Sequence, residues 1–232
     1  MIALVGMYDT ELLLNFRILA TIGKVKAGSS PGHRDGWGIG WYDSQGYAKT
    51  CKSERDATSD PEFEKMVKKL SNIDPQITIG HLRKASDKTT IAVENSHPFQ
   101  QGNWLFAHNG GIHGFRSSRE IDSHYIFREL TKTVTWLNQD LLYEAIRKTK
   151  DQIQNNFKGY SSLTFLLSDG RNLYAYRDFN RGAPADYYTL FYTRYKGGWI
   201  IVSEYDKLGL SKLKWKPIQN EELRVFSVNK FK

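Results

Sequence analysis

The chain has 232 residues, of which 40% are hydrophobic and 25% are charged, and its formal net charge is +8. This length suits one large domain or two small ones, and the composition is normal for a folded globular protein. No run of about 18 apolar residues occurs, so the sequence predicts no membrane-spanning helix.

Cysteine content and charge bear on the cellular location and on the kind of surface that the protein presents. The one cysteine, Cys51, cannot form an internal disulfide, which favours a reducing, cytoplasmic location. The basic residues are mostly dispersed along the chain, which predicts a solvated basic surface rather than a nucleic-acid site.

The N-terminal segments alternate between apolar runs and polar loops. Residues 2–8 are short, apolar and bounded by Asp9, which predicts a buried strand. Residues 11–22 are apolar almost all round, so they predict one buried helix that Asp9 or Thr10 can cap. Residues 27–36 are rich in Gly, Pro and Ser and predict a loop.

Further along, strand patterns and helix patterns occur in groups. Helices are predicted after the Asp60-Pro61 cap, at residues 119–132 and at residues 138–153. Strands are predicted at residues 37–43, 47–53, 76–83, 103–108, 161–168, 172–178, 187–195, 198–204 and 222–228. Consecutive hairpins with helices grouped between them favour an α+β fold of antiparallel sheets covered by helices. We find no linker, so residues 1–232 are interpreted as a single domain.

Four polar, Gly-rich segments lie next to predicted strands, where loops usually carry binding and catalysis. They are residues 33–40 (HRDGWGIG), 80–86 (GHLRKAS), 94–99 (ENSHPF) and 106–111 (FAHNGG). In this order, after Gly6-Met7 and before the sequence IDSH, they resemble the class II glutamine amidotransferases, in particular the stand-alone single-domain members.

The resemblance implies an N-terminal-nucleophile hydrolase fold, a four-layer αββα sandwich of two mainly antiparallel sheets with residues 2–8 as a central strand. The reaction it implies is hydrolysis of the side-chain amide of glutamine, or of a γ-glutamyl amide, without a metal or another cofactor. The expected partner is a small molecule with an amino-acid end, and a membrane or nucleic-acid partner is not expected. The sequence leaves open the natural ligand, the acceptor of ammonia and the oligomeric state, a homo-oligomer included.

The resemblance also assigns expected roles to individual residues. The Asn109 side chain and the Gly110 backbone N–H match the family's oxyanion hole, whose donors stabilise a tetrahedral oxyanion. Arg83 matches the arginine that clamps the substrate carboxylate, and Asp122 matches the aspartate that holds the substrate ammonium. Three residues at the start of the first motif, His33, Arg34 and Asp35, are expected to help shape the substrate pocket.

Each of these residues also has a purely structural interpretation. Arg83 could form a surface ion pair. Asn109-Gly110 is a frequent hairpin turn sequence. Asp122 could sit in the first turn of a helix, where a carboxylate is favourable.

The sequence departs from the family at the nucleophile. The family uses a cysteine exposed by removal of the initiator methionine, with its own α-amino group as base, and Ile2 stands at that position here. Three explanations are open: a natural pseudo-amidase that binds without cleaving, an engineered substitution, or different chemistry in the same pocket. Cys51 lies about 45 residues past the expected position in a predicted strand, and we interpret it as an ordinary thiol rather than a displaced nucleophile.

The sequence leaves two other classes of function open, a metal-dependent hydrolase and an adaptor. All six histidines lie between His33 and His124 and could form a metal site, but no HExxH or HxH spacing and no ligand-type cysteines accompany them. An adaptor that uses the basic surface to bind a protein or nucleic acid is the third class.

Overall fold

A computed structural model describes residues 1–29, 32–132, 138–180 and 182–228. Residues 30 and 31 of the predicted loop 27–36 therefore lie outside the described residues. Among the helices that are described, none is long and apolar enough to span a membrane.

The described residues form strands and helices in a mixed order. The strands are β1 (Ile2–Val5), β2 (Trp37–Tyr42), β3 (Ala48–Ser53), β4 (Ile77–Leu82), β5 (Phe99–Gln101), β6 (Trp104–Ile112), β7 (Tyr160–Ser168), β8 (Asn172–Arg177), β9 (Phe191–Tyr195), β10 (Gly198–Val202), β11 (Lys216–Pro217) and β12 (Glu222–Ser227). The α-helices are α1 (Thr10–Phe16), α2 (Leu19–Ile22), α3 (Pro61–Ser71), α4 (Asp122–Thr131) and α5 (Gln139–Asn156).

The strands pair into two sheets. The first sheet has the strand order β11-β9-β10-β1-β4-β2-β3, and the second has the order β12-β8-β7-β6-β5. The pairs between neighbouring strands are antiparallel in both sheets. Strand β1 lies between β10 and β4, so the expected central position of the first strand is confirmed.

Alternation along β1 explains how the layers stack. Side chains of a strand point alternately to opposite faces, and every residue of β1 is buried. Ile2 and Leu4 pack with the helices on one face, whereas Ala3 and Val5 pack between the two sheets. A strand buried on both faces needs a continuous apolar run, which is what residues 2–5 provide.

The outer layers are helical. On the first sheet, α1 and α3 contribute Leu12, Leu13, Phe16, Phe63, Met66, Val67 and Leu70 to one core. On the second sheet, α4 and α5 contribute Ile126, Phe127, Leu130, Leu142, Ala145, Ile146 and Ile153 to another. With the core between the sheets, these make the four-layer αββα sandwich that the family resemblance implied.

Two local predictions were wrong. The segment 11–22 forms two short helices, α1 and α2, joined by a turn in which Ile18 N–H donates to the Asn15 carbonyl. Ile18 and Ile22 are exposed, at 42% and 45%, so the apolar pattern overstated burial. Strands β5 and β11 were not predicted, because they have three and two residues, which is too short for a periodic pattern.

Candidate functional site

A cleft of about 1580 Å³ opens where the end of β4, the middle of β6 and the start of α4 meet. Arg83, Asn109, Gly110 and Asp122 all line it. These residues are up to 39 positions apart in the sequence, so their convergence depends on the pairing of distant strands. Arg83 is only 5% exposed, so it does not form the surface ion pair that the sequence left as an alternative.

Arg83 is fixed by its backbone and retains an unused donor. Its N–H donates to the Gly36 carbonyl at 2.8 Å, and its carbonyl accepts from the Asp35 N–H at 3.0 Å. The guanidinium Nη2 donates to Thr90 Oγ1 at 2.9 Å, whereas Nη1 is buried and has no hydrogen-bond partner within the described residues. Burial lowers the pKa of Arg83, and the carboxylates of Asp35 and Asp122 act to raise it. A buried cationic donor without a partner suits an anionic ligand group.

Asn109 lies in strand β6, and its side chain is held by His81 of strand β4. Because the carboxamide oxygen can only accept, His81 Nε2 donates to Asn109 Oδ1 across 3.2 Å. Burial is the main cause that lowers the pKa of His81 well below its usual value, which favours the neutral imidazole. This contact leaves the Asn109 amide nitrogen available as a donor.

Gly110 follows within the same strand, and its conformation requires glycine. Asn109 and Gly110 pair with Thr164 and Leu163 of β7, so they do not form the hairpin turn that the dipeptide suggests. At Gly110 φ is +153°, and an added Cβ would lie 1.9 Å from the Ser162 carbonyl oxygen. The backbone can approach a ligand closely here because no side chain intervenes.

Asp122 is the first residue of α4, and it also lines the cleft. Its Oδ2 accepts from the Ile112 N–H at 2.9 Å, and its Oδ1 accepts from the Ser123 N–H at 2.8 Å. The Ser123 hydroxyl lies 2.9 Å from Nδ1 of the buried His108. The carboxylate is therefore oriented by strand β6 from one side and by the helix from the other.

The three residues expected from the loop before β2, His33, Arg34 and Asp35, occupy different positions. His33 lines the cleft, and its Nε2 donates to the Lys24 carbonyl at 2.7 Å. Arg34 is outside the cleft lining and lies 3.4 Å from Asp56. Asp35 is also outside the lining, but its carboxylate accepts from the Ala85 N–H at 2.9 Å and from Lys88 Nζ at 2.5 Å. Asp35 thus supports the segment that follows Arg83.

The first residue borders a second, smaller cavity of about 40 Å³. Met1 lines this cavity together with Asn109, and its amine donates to Ser203 Oγ at 2.9 Å. Burial lowers the pKa of that amine to about 5, and Glu204 acts to raise it. Ile2 is completely buried in the core beneath the helices instead. Neither the Met1 nor the Ile2 side chain carries a thiol or a hydroxyl.

Cys51 lies in β3, directly opposite Ile39 of β2, and is not among the residues that line either cavity. Burial is the largest cause that raises the pKa of its thiol, which disfavours the nucleophilic thiolate. Cys51 thus has neither the position nor the ionisation of a displaced nucleophile.

Sequence reasoning missed several residues of the cleft. His97 is buried beside His81, with ring centroids 4.5 Å apart, and neither ring nitrogen has a hydrogen-bond partner within the described residues. Tyr187 and Tyr188 line the cleft from a segment that was predicted as strand. The motif containing His97 could have indicated it, whereas the sequence around the two tyrosines gave no signal.

The metal alternative finds no support in the geometry. Although five of the six histidines line the cleft or lie near it, the described residues contain no group of three or more His, Cys, Asp or Glu side chains placed to hold a metal ion. His81 and His108 contact Asn109 and Ser123 instead, and His33 contacts the Lys24 carbonyl.

Comparison with known proteins finds glutamine amidotransferases among the relatives of this chain. The family model "Glutamine amidotransferases class-II" matches residues 1–194. "Putative glutamine amidotransferase YafJ" of Escherichia coli K12 is 31% identical over 176 residues, which are 66% of this chain and 65% of that protein. Gamma-glutamyl-hercynylcysteine sulfoxide hydrolase of Mycolicibacterium smegmatis is 32% identical over 76 residues, 33% of this chain and 32% of that protein. Three curated relatives are matched over only 44% to 65% of their own lengths.

Solved structures share the fold. A glutamine aminotransferase class-II domain protein from Silicibacter pomeroyi superposes with a TM-score of 0.60 at 22% identity, over 83% of this chain and 87% of that one. Glutamine phosphoribosylpyrophosphate amidotransferase from B. subtilis superposes with a TM-score of 0.58 at 15% identity, over 99% of this chain and 49% of that one. At these identities the likeness concerns the fold alone.

Proposed function

The chain belongs to the class II glutamine amidotransferases, and from this premise we propose that its cleft binds a small molecule with a free amino-acid end without hydrolysing it. The ligand is glutamine or a γ-glutamyl amide. Arg83 binds the α-carboxylate, Asp122 binds the α-ammonium, and the side-chain carbonyl lies at Asn109 and Gly110.

The observation that carries this proposal is the pair of opposite charges in one cleft. Arg83 is nearly fully buried with a guanidinium nitrogen that has no partner in the described chain, and Asp122 is oriented by two backbone N–H groups. Burying an unpaired charged donor is costly. A ligand with a carboxylate and an ammonium would complete both groups, and an α-amino acid carries both on one carbon.

The carbonyl subsite supports the same orientation. His81 holds the Asn109 oxygen, which leaves the amide nitrogen to donate, and Gly110 offers close approach of its backbone. The same donor types can also bond the neutral carbonyl oxygen of a ligand. They therefore serve binding even where no reaction follows.

The proposed lack of hydrolysis rests on the residues at the start of the first strand. By the family resemblance, Ile2 is expected at the nucleophile position. It packs into the helix-side core, and Met1 and Asn109 line the same small cavity. Preorganised donors lower a barrier only when a nucleophile attacks. The pseudo-amidase is thus favoured over displaced chemistry at Cys51.

The γ-glutamyl class of ligand has support from one relative. The Mycolicibacterium smegmatis protein is named as a hydrolase of a γ-glutamyl compound, and its match to this chain includes 76 residues. The cleft of about 1580 Å³ also exceeds the volume of about 300–1,000 Å³ that is typical of sites for drug-sized ligands.

Two measurements on the unmodified protein test the proposal. Titration calorimetry with L-glutamine, L-glutamate and γ-glutamyl amides should give binding at millimolar concentration or tighter. An ammonia-release assay under the same conditions should give no turnover near the usual kcat of about 1–10³ s⁻¹. Ammonia release within tenfold of that range would refute the pseudo-amidase, and no binding of any of these ligands would favour the adaptor.

A further inference from the structure

We propose that the preferred ligand carries an acidic group on the γ-amide nitrogen, and that Lys26 and Tyr188 bind this group. The inference rests on the proposed function, because it extends a ligand whose amino-acid end lies at Arg83 and Asp122. It names the class of ligand as γ-glutamyl amides of acidic amines, with free glutamine as the weaker ligand.

The large cleft and the small cavity at Met1 share Asn109 in their linings. Arg83 and Asp122 line only the large cleft, whereas Asn109, His33 and Tyr187 line both the large cleft and the small cavity at Met1. A ligand held at Arg83 and Asp122, with its carbonyl at Asn109, therefore has its amide nitrogen directed toward the end formed by His33 and Tyr187. That end is where a substituent on the nitrogen would lie.

At this end a lysine lies over two tyrosines. Lys26 Nζ is 5.1 Å from the ring centroid of Tyr188 and 5.7 Å from that of Tyr187. The two rings contact each other edge to face, with centroids 5.0 Å apart. Cation–π contacts hold the ammonium in place without neutralising it, and in the described chain Lys26 forms no ion pair.

Tyr188 supplies an independent sign of a missing partner. It is 1% exposed, it lines the cleft, and its hydroxyl has no hydrogen-bond partner within the described residues. Its backbone is fixed, since the Tyr188 carbonyl accepts from Arg177 Nε at 3.1 Å. Buried hydroxyls almost always find a partner, and a carboxylate oxygen of a ligand would be one for both Tyr188 and Lys26.

The carboxylates near this end do not compete for Lys26. Glu204, which borders the small cavity, accepts from the Lys24 N–H at 2.7 Å, and its other carboxylate oxygen forms an ion pair with Lys207, whose Nζ lies 2.8 Å away. Among the residues described, Lys26 is therefore a cation of this end that has no carboxylate partner. An acidic substituent would pair with it.

A matched pair of ligands tests the inference. γ-Glutamylglycine and γ-glutamylglycinamide differ only in a carboxylate against a neutral amide. Calorimetry on the unmodified protein should give three- to tenfold tighter binding of the acidic ligand, about what a partly exposed charge pair and one charged hydrogen bond contribute.

Variants locate the effect. Lys26→Gln should remove the preference and leave the affinity for glutamine unchanged, and Tyr188→Phe should reduce the preference. Lys65→Gln, which changes an exposed lysine on α3, should retain it. Equal binding of the two ligands by the parent, or a preference that survives Lys26→Gln, would overturn this inference while glutamine binding leaves the proposed function standing. Failure of the parent to bind glutamine or either γ-glutamyl ligand would instead refute the proposed function.

Discussion

At the scale of single residues, the cleft depends on charged groups that the protein itself leaves incomplete. Arg83 donates through one nitrogen to Thr90 and has a second nitrogen without a partner in the described chain. Its position is set by Asp35, whose backbone N–H bonds the Arg83 carbonyl and whose carboxylate bonds Ala85 and Lys88. Asp35 is therefore a positioning residue rather than one that touches the ligand.

Asp35→Asn should weaken ligand binding. The asparagine can still accept from the Ala85 N–H, but it loses the ion pair with Lys88 and the negative charge near Arg83. We expect a loss of about 1–2 kcal/mol in the free energy of glutamine binding, measured by calorimetry. Arg34→Ala, one position away and outside the cleft lining, is the matched control. An equal loss in both variants would contradict a specific role for Asp35.

Some residues of the cleft could be predicted from the sequence and others could not. Arg83, Asn109, Gly110 and Asp122 carry motifs, and the structure brings them to one cleft. Tyr188 and Lys26 carry no motif, because an aromatic or a lysine in a loop is common in any protein. Their proximity is set by the folding of two segments about 160 positions apart, which local patterns do not encode.

At the scale of elements, strand β6 is the central support of the cleft. It runs from Trp104 to Ile112 and pairs with β7 along almost its whole length. The sequence indicated a strand that ended at residue 108, because Asn-Gly is typical of a turn. The ladder with β7 overrides that local preference, since each residue from 105 to 111 has a partner there.

Gly110→Ala should destabilise the protein. The φ of +153° disfavours a side chain, and the new Cβ would overlap the Ser162 carbonyl, which is backbone and cannot move alone. We expect a loss of about 2–5 kcal/mol in the free energy of unfolding, measured by urea denaturation. Gly102→Ala is the control, because its φ is +55° but no atom lies within 4 Å of the new Cβ. There the cost should be about 1–2 kcal/mol, and equal losses in the two variants would contradict the close approach at β6.

At the scale of the whole molecule, the two sheets and their helices enclose three cores, and histidines are buried at the end where the cleft opens. The layered fold was predictable, since apolar strands and amphipathic helices must bury their faces. Strand order was not, because β1 pairs with β10 about 200 residues away. The burial of neutral histidines is a consequence of this long-range packing.

Stability should decrease as the pH falls from about 7.5 to 5.5. Burial is the largest cause that lowers the pKa of His81, His97 and His108 in the folded protein. The unfolded chain takes up protons on these residues below about pH 6.5, whereas the folded protein does not, so protonation favours unfolding. Each neutral histidine should contribute up to about 1.4 kcal/mol per pH unit to this decrease.

Urea denaturation at several pH values measures this slope. His97→Gln should reduce it, whereas His113→Gln, at an exposed position, should leave it unchanged. A stability that is constant over this range would show that the buried histidines take up protons in the folded state.

Calorimetric titration of L-glutamine into the parent protein and into Arg83→Ala tests most directly whether the ligand binds in this cleft through Arg83. Arg171→Ala is the control, because Arg171 is exposed in the β7–β8 turn. We expect binding by the parent and by Arg171→Ala, and a loss of about 2–5 kcal/mol, roughly 30-fold or more in affinity, in Arg83→Ala. Binding that Arg83→Ala leaves unchanged would contradict this expectation, because the ligand would then lie outside this cleft.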